Sequence, residues 1–180
     1  LNHGIYLLTD VTNNNITGNT VNTNGGTQNV ALKIEAGADN NRIWNNTFLP
    51  NGTAGSEYGI YLTDRVTRTN ITQNLINTNS TGGTANHGIF ADLGVNDTLI
   101  FNNRILAQGP ALTSMMGINI VGASATPAVG VKIVNNTVNL VNVSSANAVN
   151  LVTGVFHVEI INNTLRSDPG FKLVAGKTPE

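Results

Sequence analysis

Residues 60–76 read IYLTDRVTRTNITQNLI. Two apolar side chains one position apart, Ile60 and Leu62, open the stretch; Val66 follows, and Ile71, Asn74 and Ile76 close it. Apolar residues at period two are the mark of short β-strands, and no stretch of the chain sustains a helical 3.6-residue pattern. The closing pattern recurs as Ile16–Asn19–Val21, Ile43–Asn46–Phe48, Ile100–Asn103–Ile105, Ile133–Asn136–Val138 and Ile160–Asn163–Leu165. Its upstream apolar pair recurs as Ile5/Leu7, Leu32/Ile34, Ile89/Ala91, Ile118/Ile120 and Val149/Leu151. Pair and motif are 11 residues apart in five copies and 15 in the fifth, where an insertion surrounds Pro127. Val11, Ala38, Val66, Val95, Ala128 and Val155 hold a third column, five residues before each motif Ile.

Copies start 27 to 31 residues apart, too short a unit to bury an apolar face alone. Stacking each copy on the next solves that problem. The sequence therefore predicts an all-β chain, a right-handed parallel β-helix of about six coils, with equivalent residues about 4.8 Å apart along the axis. Residues 1–180 form a single domain in this reading. Segments 77–86 and 107–116, where repeat length varies, are expected to bulge outward as loops. Asn19, Asn46, Asn74, Asn103, Asn136 and Asn163 become one column between inward apolar columns. Stacked amides can bond along such a ladder, and Asn tolerates the left-handed backbone of a corner. A small residue before each first strand (Gly4, Ala31, Gly59, Gly88, Gly117, Ala148) fits a crowded corner or an unusual backbone angle.

The recurring Asn-Asn-x-Ile-x-x-Asn-x-Ile and Ile-x-Asn-Asn-Thr-Val coils resemble the right-handed parallel β-helix repeats of the pectate-lyase-like superfamily, including surface-protein repeats of that kind. The resemblance covers nearly the whole chain and implies the fold. It leaves function open among polysaccharide lyases, hydrolases, epimerases, tailspikes, adhesins and envelope proteins. The family's Tyr-Gly-x-Asp-Pro cluster is missing: Tyr58-Gly59-Ile60 lacks the acid, and Asp168-Pro169 lacks a preceding Tyr-Gly. No catalytic residue carries over. Residues 170–173 (Gly-Phe-Lys-Leu) copy Gly4-Ile5-Tyr6-Leu7, so a seventh coil is expected to begin near 170. A chain that opens in a strand and breaks off in a coil is expected to be a piece of a longer solenoid, self-associating through open ends or lateral faces.

Composition narrows the partners. Asn (30), Thr (22) and Gly (19) dominate, while charged residues make up 11% with a net charge of −1. That balance argues against nucleic acid, no run is apolar enough to span a bilayer, and the absence of Cys removes thiol chemistry. His3 and His87 share a column three coils apart, too far to share a metal, and His157 lies in another column. The Gly25-Gly26 and Gly82-Gly83 loops lack the Lys-Ser/Thr of a phosphate loop. No cofactor is expected.

The outward column of the first strand reads Tyr6, Lys33, Tyr61, Phe90, Asn119 and Asn150. Tyr6, Lys33, Tyr61 and Phe90 are candidate glycan contacts, and cross-strand packing of the rings is the structural alternative. Asp10, Glu35, Asp64, Arg65 and Asp92 follow this strand. Asp64 and Asp92, on adjacent coils, are the weak catalytic candidates, and Ca²⁺ enters only if that pair is a lyase or hydrolase site. Trp44 is single, and packing against a neighbouring coil or loop is its default reading. Thr67-Arg68-Thr69 is the one phased Thr-x-Thr, a poor basis for an ice-binding array. Nine sequons, at Asn15, Asn45, Asn51, Asn70, Asn79, Asn96, Asn135, Asn142 and Asn162, fit a surface protein. The expectation is a noncatalytic extracellular or cell-surface structural or adhesive module; the alternative is a polysaccharide-cleaving or epimerising β-helix enzyme.

Overall fold

The computed structural model describes residues 2–26, 28–82, 85–109, 114–141 and 145–167, with the backbone of 173–174. Within them the chain is all-β and winds as a parallel solenoid of about six coils. The first sheet stacks Asn2–Leu7, Asn29–Ile34, Ser56–Leu62, Ala85–Ala91, Ser114–Ile120, Ala146–Leu151 and Leu173–Val174. A second sheet of three-residue strands runs from Asn15–Thr17 through Arg42–Trp44, Asn70–Thr72, Leu99–Phe101 and Lys132–Val134 to Glu159–Ile161. The third stacks Thr20–Gly25, Thr47–Gly52, Leu75–Ser80, Arg104–Gln108, Thr137–Val141 and Thr164–Ser167. Every pairing is parallel and in register, for example Ile43 between Ile16 and Ile71.

The repeat columns become one continuous core. Leu32, Ile34, Ile43, Phe48, Ile60, Ile71, Ile76, Ile89, Ile100 and Ile105 are fully buried, and Ala38, Val66, Val95 and Ala128 fill the remaining corner. The insertion of the fifth coil leaves this core untouched. Ala123 and Thr126 close it by exchanging backbone hydrogen bonds, and Ala128 returns to its column opposite Val155. Between the third sheet and the first, strands run further than the sequence implies, to Ser80 and from Ala85, and to Gln108 and from Ser114.

Residues 170–173 align by sequence with the first strand, which puts Leu173 opposite Leu151; the structure puts it opposite Val149. Chain length explains the shift. Ser167 shares the column of Leu140, which lies nine positions before Val149, whereas Phe171 follows Ser167 by four, too few to round the corner. Gly170, Phe171 and Lys172 lie outside the described residues.

Inside the corner between second and third sheets, the amides form a ladder. Each Nδ2 donates to the next coil's Oδ1: Asn19 to Asn46 at 2.9 Å, Asn46 to Asn74 and Asn74 to Asn103 at 3.0 Å, Asn103 to Asn136 at 3.1 Å, and Asn136 to Asn163 at 3.0 Å. The same oxygens accept the backbone N–H of the preceding rung, as Asn74 Oδ1 does from Asn46 at 2.9 Å. Spare Nδ2 hydrogens reach carbonyls, for Asn74 those of Ile43 and Thr72, both at 3.0 Å. The left-handed backbone falls one residue earlier than expected. Gly18, Asn45, Gln73, Asn102, Asn135 and Asn162 have φ between 51° and 69° and turn the chain, while the next Asn supplies the amide. The Asn-Asn pair thus divides two tasks, and turn residues that tolerate φ > 0 explain the first.

Crowding accounts for the small residue of the first strand. A Cβ on Gly88 would lie 2.3 Å from Ile105 Cγ2 and 2.6 Å from the Gly117 carbonyl oxygen, and Gly59 meets Ile76 the same way. None of Gly4, Gly59, Gly88 and Gly117 has a left-handed φ.

Removing a central rung orphans groups on both sides, each worth about 1–3 kcal/mol when buried without a partner. Asn74→Ala is therefore expected to cost about 3 kcal/mol in urea unfolding, and Asn19→Ala, at an exposed rung whose amide accepts from no neighbour among the described residues, under about 1 kcal/mol. Equal losses would show that the ladder does not carry the corner.

Candidate functional site

Inward Gly59 and Ile60 together break the alternation of the first sheet. Gly59 faces Ile76 and Ile60 is core, so Tyr58 and Tyr61 both lie on the outer face. Two outward columns result. One is Tyr6, Lys33, Tyr61, Phe90, Asn119 and Asn150, as the sequence implies; the other is His3, Val30, Tyr58, His87, Met116 and Asn147. His3 and His87 share a column three coils apart, as expected; Val30 and Tyr58 lie between them, and Tyr58 packs on the His87 ring. Its place in the column is visible in the spacing from Val30 and His87, once the glycine is seen to reset the alternation.

The rings pack on one another. Tyr61 and Phe90 stack at 5.1 Å with planes 13° apart, and Tyr58 lies 5.2 to 5.4 Å from Tyr61, His87 and Phe90. His3 and Tyr6 make a separate pair at 4.7 Å. In-register columns turn ring faces toward the neighbouring coil, which favours mutual packing over a flat sugar platform. Tyr6 is the most open, 42% exposed. Lys33 Nζ sits between two rings, 5.2 Å from that of Tyr6 and 5.7 Å from that of Tyr61.

A polar column borders the rings. Backbone pairing sets Glu35, Thr63 and Asp92 side by side on successive coils. Glu35 forms an ion pair with Lys33 and accepts the Tyr6 hydroxyl. Burial disfavours its charge, but these two donors outweigh burial and hold its carboxyl below the ordinary value. Asp92 shifts the other way, because burial outweighs the hydroxyls of Thr63 and Tyr61. Tyr61 donates to Asp92 Oδ2 at 3.2 Å, and burial with the adjacent carboxylate pushes its phenol up to about 12. Burial also takes His87 down to about 4, so the ring is neutral at pH 7.

Asp64 does not face Asp92. It lies at a corner where Asp64 and Arg65 both have left-handed φ, its carbonyl accepting from Gly37 N–H while Arg65 N–H donates to Leu93, and its Oδ1 meets Arg65 at 3.0 Å. The two consecutive left-handed residues rotate the side chains out of simple alternation. The acids that share a column are Glu35 and Asp92, two coils or about 10 Å apart.

The other candidates are dispersed. Arg68 is a left-handed corner residue paired with Asp39, so Thr67-Arg68-Thr69 forms no flat array. Asn15, Asn45, Asn70, Asn135 and Asn162 are exposed, Asn51, Asn79 and Asn96 are half-buried, and Asn142 lies outside the described residues. Trp44 is half-buried on the second sheet, its indole N–H donating to Gln73 of the next coil and Arg42 4.9 Å from its ring. Among the described residues no three His, Asp or Glu side chains gather as a metal site, and no helix is long and apolar enough to cross a membrane.

One carboxyl went unnoticed in the sequence. Glu57 is fully buried in an inward column with Asn2, Asn29, Asn86 and Met115. Asn2 donates to Asn29 at 2.9 Å and Asn29 to Glu57 Oε1 at 3.2 Å, a second ladder. Glu57 Oε2 and both polar atoms of Asn86 have no hydrogen-bond partner among the described residues. Burial, against one bond from Asn29, raises the carboxyl to about 7. A comparison with family models, curated proteins and solved structures finds no match for the chain.

Because folded Glu57 keeps its proton to about pH 7 while the unfolded side chain releases it near 4.5, its own contribution to stability is greatest below the latter. It falls as pH rises through the window and levels off above it, by on the order of 3 kcal/mol. Glu57→Gln, which mimics the neutral acid, is expected to remove this fall from urea-unfolding stability between pH 5 and 8, leaving the opposite trend of His87, whose contribution rises with pH up to about 6.5. A variant as pH-dependent as the parent would assign the slope to other groups.

Proposed function

We propose that this chain is a noncatalytic structural and adhesive β-solenoid module of an extracellular or cell surface, contacting glycan along its first sheet and neighbouring modules along its sides. The observation that carries this reading is the aromatic strip. Tyr6, Lys33, Tyr61 and Phe90 run along the axis over four coils, and their charged and phenolic groups are tied down by Glu35 and Asp92. Its ring faces are packed on one another, so an extended polymer meets ring edges, the exposed Tyr6 ring and the Lys33 ammonium, a preordered line on which little side-chain freedom is lost. Exposed sequons at coil corners support a surface location. Kinship with pectate-lyase-like solenoids is supported by parallel coils and the inward amide ladder alone.

A second reading has its own observation. Glu35, its carboxyl held below the ordinary value by Lys33 and Tyr6, and Asp92, its carboxyl raised by burial, lie about 10 Å apart on one face, close to the separation of an inverting glycosidase pair. Polysaccharide cleavage with this pair, or a Ca²⁺-assisted lyase reaction, is the enzymatic alternative.

The test is incubation with neutral and acidic polysaccharides, with and without Ca²⁺, followed by affinity electrophoresis, reducing-end assay and ultraviolet detection of unsaturated products. Retardation without product is expected, weakened several-fold in Tyr6→Ala. Product formation abolished by Asp92→Asn would replace the adhesive reading with the enzymatic one.

A further inference from the structure

Among the described residues, the buried side-chain atoms without a hydrogen-bond partner fall into two sets. Those of His3, Asn77, His87, Asp92 and Asn139 belong to outer faces. The others are Thr23 Oγ1, Glu57 Oε2, Thr78 Oγ1 and both polar atoms of Asn86, all inside the corner where the third sheet leads into the first. Glu57, Thr78 and Asn86 are 0% exposed. An unbonded polar group costs about 1–3 kcal/mol in such a place, and an unpaired anion more. Glycines give the carboxyl its room. A Cβ on Gly52 would collide with Glu57 Oε1 and lie 2.8 Å from Asn29 Nδ2. Gly52 also borders an open depression of about 440 Å³ whose rim carries the Thr53 and Thr81 side chains, so one glycine stands between the buried acid and the surface.

Register sets the spacing and donor chemistry sets the ligand. Asn29, Glu57 and Asn86 follow one another on successive coils, about 4.8 Å apart. Asn29 bonds Oε1 at 3.2 Å, which leaves Oε2 and, one coil on, Asn86 Oδ1. A hard cation whose bonds to oxygen are about 2.3–2.6 Å long bridges two strands at that spacing. Carboxylate, amide and hydroxyl oxygens suit such cations. Glu57 is in none of the ion pairs of the described residues. One carboxylate balances one positive charge, whereas a divalent ion would leave a net charge buried. We propose that this corner is a binding site for an alkali cation, Na⁺ or K⁺, held by Glu57 Oε2 and Asn86 Oδ1 with the Thr78 hydroxyl beside them, and reached past Gly52. The cation and the proton are then alternative occupants of one carboxylate oxygen. The site is interior, so it stands or falls separately from the adhesive and enzymatic readings of the outer face.

Urea unfolding in choline, sodium and potassium chloride, each at about 0.2 M and about pH 8.5, holds ionic strength constant while changing the cation. The folding constant is expected to be about tenfold larger in the sodium or potassium salt than in the choline salt, with a gain that saturates as the ion is titrated. Glu57→Gln, which keeps the shape of the side chain and removes its charge, is expected to cut that gain below about twofold, and Asn86→Ala to reduce it. A crystal of the parent chain soaked in thallium(I) acetate, a heavy stand-in for K⁺, is expected to show an anomalous peak beside Glu57 Oε2. Equal folding constants in the three salts overturn the proposal. An undiminished gain in Glu57→Gln, or thallium bound only elsewhere, places the ion at another site and overturns it too. An undiminished gain in Asn86→Ala overturns the bridge between coils. The salt comparison and the thallium soak use the parent chain, so they decide the matter even where a variant does not fold.

Discussion

An amide buried at a corner must find partners, and that requirement governs the whole solenoid. Asn74 occupies a site that is 2% exposed, where an unbonded amide costs about 1–3 kcal/mol. Only a coil stacked in register, at the strand spacing of about 4.8 Å, brings another amide and its backbone N–H within reach. A slip of one residue would send the Asn outward and a corner residue inward. The ladder therefore selects one register among the many that an apolar core of similar Ile, Leu and Val residues accepts. The left-handed residue before each rung makes the turn that aims the amide inward.

Register then shapes the surface. When each coil repeats its predecessor, side chains meet their equivalents along the axis, and rings stack, acids and bases pair, and gaps align as rows. Tyr61 on Phe90 is such a row, and so is Lys132 beside Glu159, whose Nζ–Oε1 distance is 3.0 Å. Rows packed this way present ring edges to solvent. Where a column skips a large residue, as at Thr72 beside Trp44, the ring is held instead by Gln73 and Arg42. Low charge and irregular repeats at the surface are thus compatible with chemically distinct strips on different sheets.

The core columns and the amide ladder were legible because each repeats six times with the same spacing, and tertiary structure had only to stack them. The outer face was half legible. Lys33, Tyr61 and Phe90 were found by alternation, but Tyr58 was hidden because Gly59 follows it and faces inward. The register of the acids was not legible for a related reason. Counting positions past Leu62 assumes an extended chain, whereas Asp64 and Arg65 both turn left-handed, so Thr63 and not Asp64 becomes the neighbour of Asp92. Glu57 went unseen because it precedes the apolar pair by three residues, where pattern alone does not distinguish a solvated from a buried acid. Its partner Asn29 is an ordinary residue of an Asn-rich chain.

Glu57 also shows how strictly the stacking rule operates. Its column neighbours on both sides are Asn, so an acid stands where the arrangement calls for an amide. A carboxylate can accept from Asn29 but has no hydrogen to pass to Asn86, whose own two polar atoms remain unpartnered. A protonated carboxyl has an acceptor and a donor on one planar group, as an amide does, so it has a hydrogen to offer where a carboxylate has none. Burial alone disfavours the anion; the ladder gives the proton a structural place as well. Asp92 faces the same loss of solvent on the outer surface, yet Tyr61 and Thr63 donate to it, and its shift is the more modest one. The difference between the two acids follows from what their neighbours in adjacent coils can donate.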